Sequence, residues 1–163
     1  DSTDLRGVYC QNGVTVDFVQ LTKSGLNGTL PWELGLLSDL RFLNVFNNSL
    51  MGTLPREIYG LLDLTLLNVF MNFLTGTLPT DIGRLTAISS LFVGENRLTG
   101  TLPSELGHLT ALKLLAVNEN FLTGTLPSDV GRLTAISSLY VGANKLTGTL
   151  PSELGHLTAL KFF

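Results

Sequence analysis

The chain has 163 residues, a net charge of -3 and a charged fraction of 14%. That fraction is well below the ~25% of ordinary domains, and no basic patch stands out, so nucleic acid and anionic membrane surfaces are excluded as expected partners. The most apolar stretch, Leu61 to Leu74, is broken by Asp63, Thr65, Asn68 and Asn72, which leaves no run of the ~18 apolar residues that would span a membrane. Cys10 is the single cysteine and has no partner for an internal disulfide. No signal peptide is readable, so the sequence reads as a mature chain or a fragment.

A 24-residue period runs almost end to end. All six prolines fall at one phase of it, Pro31, Pro55, Pro79, Pro103, Pro127 and Pro151, each with a glycine three residues earlier. Such an internal repeat decides the architecture before any local reading. Framed from residue 13, six full repeats fill 13–156, and residues 157–163 begin a seventh. Apolar residues two apart, such as Leu43 with Val45 and Leu67 with Val69, predict a strand with one buried face early in each repeat. Asparagine then recurs as Asn48, Asn72, Asn96, Asn120 and Asn144. An inward amide at that point can bond backbone groups freed where the strand turns. The "GTLP" segment predicts a second extended stretch, broken by proline before a single helical or 3₁₀ turn on the outer side.

These repeats resemble the plant-type leucine-rich repeat, LxxLxxLxLxxNxLxGxLPxxLGxL, over residues 13–163. The wording "GTLPSELGHLTAL" is also similar to repeats of algal and diatom surface proteins. The resemblance implies an α/β right-handed solenoid with a parallel concave β-sheet and short 3₁₀ or helical segments on the convex side. Residues 1–12 resemble the end of the family's N-terminal cap, CxWxGVxC, with Gly7, Val8 and Cys10 in place. Thr3 and Leu5 replace the first cysteine and the tryptophan, a departure from the pattern that makes the cap disulfide. Repeat two carries a second departure, Tyr59-Gly60 in place of the usual Gly-x.

A longer period lies over the short one. Residues 80–115 and 128–163 differ at seven of 36 positions, which points to duplication of a two-repeat unit. The C-terminal Lys161-Phe162-Phe163 carries no polar cap, so a longer array or self-association through that end is expected.

On the concave strands, alternate residues face away from the core. This places Phe18, Phe42, Phe46, Leu66, Phe70 and Met71 in one expected apolar patch of the N-terminal half, with Phe92 and Tyr140 further along. Exposed aromatics held together are typical binding anchors. The bland alternative is that the column of Phe18, Phe42 and Leu66 packs on itself as a ladder.

Threonine forms a second array in "Thr-Gly-Thr". Its members are Thr75 with Thr77, Thr99 with Thr101, Thr123 with Thr125, and Thr147 with Thr149. If the segment is extended, these form a flat grid like the faces of ice-binding solenoids, although threonine is also an ordinary β-surface residue. Two sequons, at Asn27 and Asn47, are candidate glycosylation sites. His108 and His156 copy one another two rungs apart, on the order of 10 Å, too far to share a metal. No catalytic group or cofactor site is expected. The leading expectation is a non-catalytic extracellular or cell-surface module that binds a protein, peptide or glycan. Ice binding and a structural or adhesive role in a cell wall are the alternatives.

Overall fold

The structure is a computed structural model that describes residues 7–9 and 15–163. The cap positions Thr3, Leu5 and Cys10 lie outside the described residues. The remaining chain coils as a solenoid, one rung per 24 residues. Its concave wall is a seven-stranded sheet of Val8–Tyr9, Phe18–Gln20, Phe42–Asn44, Leu66–Asn68, Ser90–Phe92, Leu114–Ala116 and Ser138–Tyr140, in that spatial order. The first strand pairs antiparallel with the second, Val8 opposite Val19. All later pairs are parallel and in step with the repeat, as in Phe42 opposite Leu66 and Leu66 opposite Ser90. Phe162 adds a parallel bridge to Ser138 in the same register.

Each strand is short because only its central residue faces inward. Leu43, Leu67, Leu91, Leu115 and Leu139 are sealed from solvent, while most residues on either side are half-buried. The inward leucines of successive rungs stack into one continuous stripe, as expected for a chain in which each repeat packs only on its neighbours.

The asparagine ladder turns the chain out of the concave sheet. Asn72 is typical. Its Nδ2 donates to the carbonyls of Val45 and Val69 at 3.1 and 3.0 Å, and its Oδ1 accepts from the N–H of Leu50 at 3.0 Å. One side chain therefore satisfies three buried backbone groups, two of them on the preceding rung. That accounts for a polar residue at the edge of a leucine core.

Past the ladder lies a second, interrupted sheet. Asn27–Thr29, Ser49–Thr53 and Phe73–Thr75 form one part, and Thr123–Gly124 with Lys145–Leu146 the other. Its register advances by 22 residues per rung where the concave sheet advances by 24, as in Thr53 opposite Thr75. Each proline then heads a 3₁₀ turn: Trp32–Leu36, Arg56–Gly60, Thr80–Arg84, Ser104–His108, Ser128–Arg132 and Ser152–His156. Glycine inside these turns lets neighbours close up. A Cβ on Gly83 would come within 2.9 Å of the backbone of Glu105 on the next turn. At the matching place in repeat two stands Tyr59, fully buried, its hydroxyl without a hydrogen-bond partner. Burial, aided by the nearby charge of Asp81, raises the Tyr59 pKa well above the ordinary tyrosine range.

Candidate functional site

The concave sheet divides the expected patch in two. Along one column, the rings of Phe18 and Phe42 stack face to face, centroids 4.1 Å apart and 8° from parallel. Tyr9 meets Phe18 edge-on at 5.4 Å. Leu66 continues the column, also half-buried. These side chains cover one another across the strands, the arrangement that stabilises sheets.

Four residues further along the chain, past the end of each strand, Phe46 and Phe70 form a second pair, centroids 6.2 Å apart and tilted by 39°. Asn44 and Asn68 fix their backbone: each Oδ1 accepts the N–H of the residue two further on, Phe46 and Phe70 respectively, at 3.0 Å. Lys23 Nζ lies 5.9 Å from the Phe46 ring centroid, within cation–π range. On the other side, Gly94 leaves the space into which the Phe70 ring leans. A Cβ there would come within 2.6 Å of Phe70 Cε2 and 2.8 Å of Asn118 Oδ1.

The result is a depression of about 450 Å³ lined by Phe46, Asn68, Phe70, Phe92, Ala116, Asn118 and Tyr140. That volume lies within the range of small-ligand and side-chain pockets. Tyr140 is the one titratable residue in the lining. The lining therefore offers apolar area, ring faces and two side-chain amides. Phe46, Phe70, Phe92 and Tyr140 are brought together, whereas Phe18, Phe42 and Leu66 stand outside. Met71 is also outside: it takes a left-handed turn with φ 60° and points to solvent off the strand end. Asn68, Ala116 and Asn118 complete the lining without having been singled out in the sequence. Only their place at outward strand positions marked them.

The threonines of the second sheet are all exposed, but the Thr-Gly-Thr segment is not a flat extended run. Gly76, Gly100, Gly124 and Gly148 each have φ near +80°, between 77° and 86°. The Thr53 methyl lies beneath Gly76, where a Cβ would come within 2.8 Å of it. The hydroxyls of Thr75, Thr99 and Thr123 each donate to a glycine carbonyl of the preceding rung at 3.2 Å, and Thr147 does so at 3.3 Å. Both threonine columns thus serve the contact between rungs. Asn27 is exposed and Asn47 half-buried, the latter in a left-handed turn with φ 54°. His108 and His156 are exposed at the ends of their 3₁₀ turns. Among the described residues no group of three or more His, Cys, Asp or Glu is placed to hold a metal, and no helix is long and apolar enough to cross a membrane.

A parallel concave sheet, a buried asparagine ladder and a convex row of 3₁₀ turns define a leucine-rich-repeat solenoid. Residues 39–61, 87–109 and 135–157 match the Leucine Rich Repeat family. Among solved structures, the chain superposes on the ectodomain of the receptor kinase GASSHO1/SCHENGEN3 of Arabidopsis thaliana, solved in complex with CASPARIAN STRIP INTEGRITY FACTOR 2. The TM-score is 0.95 at 37% identity, over 100% of this chain and 20% of that one. The Arabidopsis receptor kinase HAESA ectodomain, in complex with an IDA peptide hormone, gives 0.90 at 32%, over 97% and 27%. The BIR2 ectodomain from Arabidopsis thaliana gives 0.81 at 31%, over 90% and 79%. The chain belongs to the plant-type leucine-rich-repeat proteins. It spans 20% and 27% of the two receptor ectodomains named first. No curated protein matches its sequence.

Proposed function

We propose that the chain is a non-catalytic, extracellular recognition module whose concave depression holds an apolar or aromatic side chain of a peptide or protein partner. The observation that carries this reading is the convergence of Phe46, Phe70, Phe92 and Tyr140 from four rungs onto one depression. Stacked rungs hold these anchors in place before the ligand arrives, so little ordering entropy opposes binding. The similar HAESA ectodomain, solved in complex with a peptide hormone, supports a peptide over a glycan as the occupant. An extracellular setting also suits the two sequons. A glycan on exposed Asn27 would stand on the second sheet, and one on Asn47 would border Phe46. This reading is preferred to ice binding because positive-φ glycines bend the threonine rungs and rung-to-rung hydrogen bonds engage half of their hydroxyls.

The test is selection of displayed random peptides on the wild-type chain, followed by affinity measurement against Phe46→Ser/Phe70→Ser. Selected peptides are expected to share an apolar anchor and to lose at least about tenfold in affinity for the double variant, while its thermal unfolding stays cooperative. Equal affinity for a folded double variant ends the proposal.

A further inference from the structure

The asparagine ladder occupies carbonyls that the concave sheet would otherwise use. The Phe42 N–H donates to the Asp17 carbonyl on the preceding rung at 3.1 Å. Continued along the strand, the same parallel pattern would send the Gly94 N–H to Val69, that of Asn118 to Val93 and that of Gly142 to Val117. Each of those carbonyls already accepts two side-chain amides, which uses both of its lone pairs. Val69 receives Asn72 and Asn96, each at 3.0 Å. Val93 receives Asn96 and Asn120 at 3.2 and 3.1 Å, and Val117 receives Asn120 and Asn144 at 3.2 and 2.9 Å. One N–H per rung is therefore left over where the chain leaves the sheet. In two rungs the side chain two residues earlier caps it, Asn44 for Phe46 and Asn68 for Phe70. In the next three rungs that place holds Phe92, Ala116 and Tyr140, which supply no such cap. Among the described residues, the N–H groups of Gly94, Asn118 and Gly142 have no hydrogen-bond partner. A backbone donor left unpaired away from water is costly, and a ligand that supplies an acceptor removes that cost.

The three donors differ in access. Gly94 is buried, closed in by Phe70 and Asn118. Asn118 is half-buried and lines the depression together with Ala116, whose methyl is too short to cover the neighbouring N–H. Gly142 is exposed and lines an adjoining hollow with Asn118, Glu119 and Tyr140. The Asn118 side-chain amide also has no hydrogen-bond partner among the described residues. Asn118 thus offers a backbone donor and a side-chain acceptor from one residue. A secondary amide answers both, since its carbonyl accepts and its own N–H donates. A carboxylate answers only the first, and it would stand near the Glu119 charge with no lysine or arginine in either lining. We infer that the depression recognises a peptide group of its ligand, with the carbonyl on the Asn118 N–H and the adjacent apolar side chain against Phe46 and Phe70. This rests on the depression being a peptide site, and adds that the ligand's main chain is read as well as its side chain. Asn118 and Ala116 then determine specificity: one supplies the donor, and the other leaves it uncovered.

The test is titration of the isotope-labelled chain with acetyl-Ala-Phe-Ala-amide, followed by NMR of the backbone amides. Saturable binding is expected, with the Asn118 amide proton moving downfield while that of Val117, already bonded to the Tyr140 carbonyl, holds still. Phe46→Ser/Phe70→Ser should weaken binding at least about tenfold. Ala116→Asn supplies the cap that Asn68 gives Phe70. In that variant the Asn118 signal should start downfield and stay there, and affinity should fall at least about tenfold below that of Ala116→Leu, which fills similar space without a cap. An analogue of the peptide with esters in place of its amides, weaker as an acceptor and without the N–H, should bind at least about tenfold more weakly. Binding that depends on Phe46 and Phe70 while the Asn118 signal stays put would overturn the inference and leave the apolar site standing. Binding indifferent to Phe46 and Phe70 would end the peptide-site reading itself. Equal loss in the two Ala116 variants, equal affinity for the ester, tighter binding of the carboxylate phenylpropionate, or no saturable binding would each overturn the inference too.

Discussion

Residues 80–115 and 128–163 are nearly one sequence in two settings. In the first copy Leu102 is 4% exposed, whereas its counterpart Leu150 is 64% exposed. Leu98 and Leu106 are sealed, while Leu146 and Leu154 are half-buried. Gly94 is closed in by Phe70 and Asn118, whereas Gly142 faces open space. The residues are nearly the same, so the leucine differences come from the following rung, while the Phe70 that helps close in Gly94 stands on the preceding one. In a stacked fold, burial belongs to a neighbour as much as to a side chain, and the energetic weight of a residue follows its place in the array.

The sharpest way to break this comparison is to truncate the paired leucines. Leu102→Ala is expected to cost about 2–4 kcal/mol through lost burial and a residual cavity, and Leu150→Ala under about 0.5 kcal/mol, measured by urea unfolding. Equal losses would mean that the last rung is as tightly held as the interior. The paired asparagines sharpen it at smaller scale. Asn96→Ala strands the buried Leu74 N–H and the Val69 and Val93 carbonyls, at about 1–3 kcal/mol. Asn144→Ala frees the corresponding groups where water reaches at least part of the site, so its cost should be visibly lower. Unfolding midpoints of the two variants decide the order.

The smallest effect concerns the phase at which both copies carry glycine and repeat two carries Tyr59. Tyr59→Phe removes a buried hydroxyl with no partner and is expected to stabilise by about 1 kcal/mol. The folded-state pKa of Tyr59 lies above its unfolded value, so the neutral hydroxyl supports folding below ~10, and that support is lost as pH rises beyond it. A decline in wild-type stability above pH ~10 should accordingly be shallower in Tyr59→Phe. Identical declines would show that the hydroxyl titrates freely.

Much of the fold was legible because it repeats. Proline, glycine and asparagine at fixed phases located the 3₁₀ turns, the bends and the ladder, and alternating leucines located the concave strands. What escaped was whatever does not repeat. The place that caps the left-over N–H is asparagine in two rungs and Phe92, Ala116 or Tyr140 in the next three, so the unpaired donors passed unremarked. The register of 22 in the second sheet could not be read from a period of 24, since it depends on how far the chain folds back past each asparagine. The concave patch read as one because Phe42 and Phe46 both face outward. Phe46 lies past the end of the strand that holds Phe42, and that separates a self-packed column from an open depression. Tyr59 stood out as a departure, but whether it is buried depends on the turn packed above it.

The asparagine ladder has a direction. Asn96 closes backbone groups of Val69 and Leu74, and Asn120 those of Val93 and Leu98. Each rung is therefore completed from behind, by a side chain that lies 22 to 27 residues later in the chain. During synthesis from the N-terminus, the most recently emerged rung is always the unfinished one, and the bonds that seal it arrive with its successor.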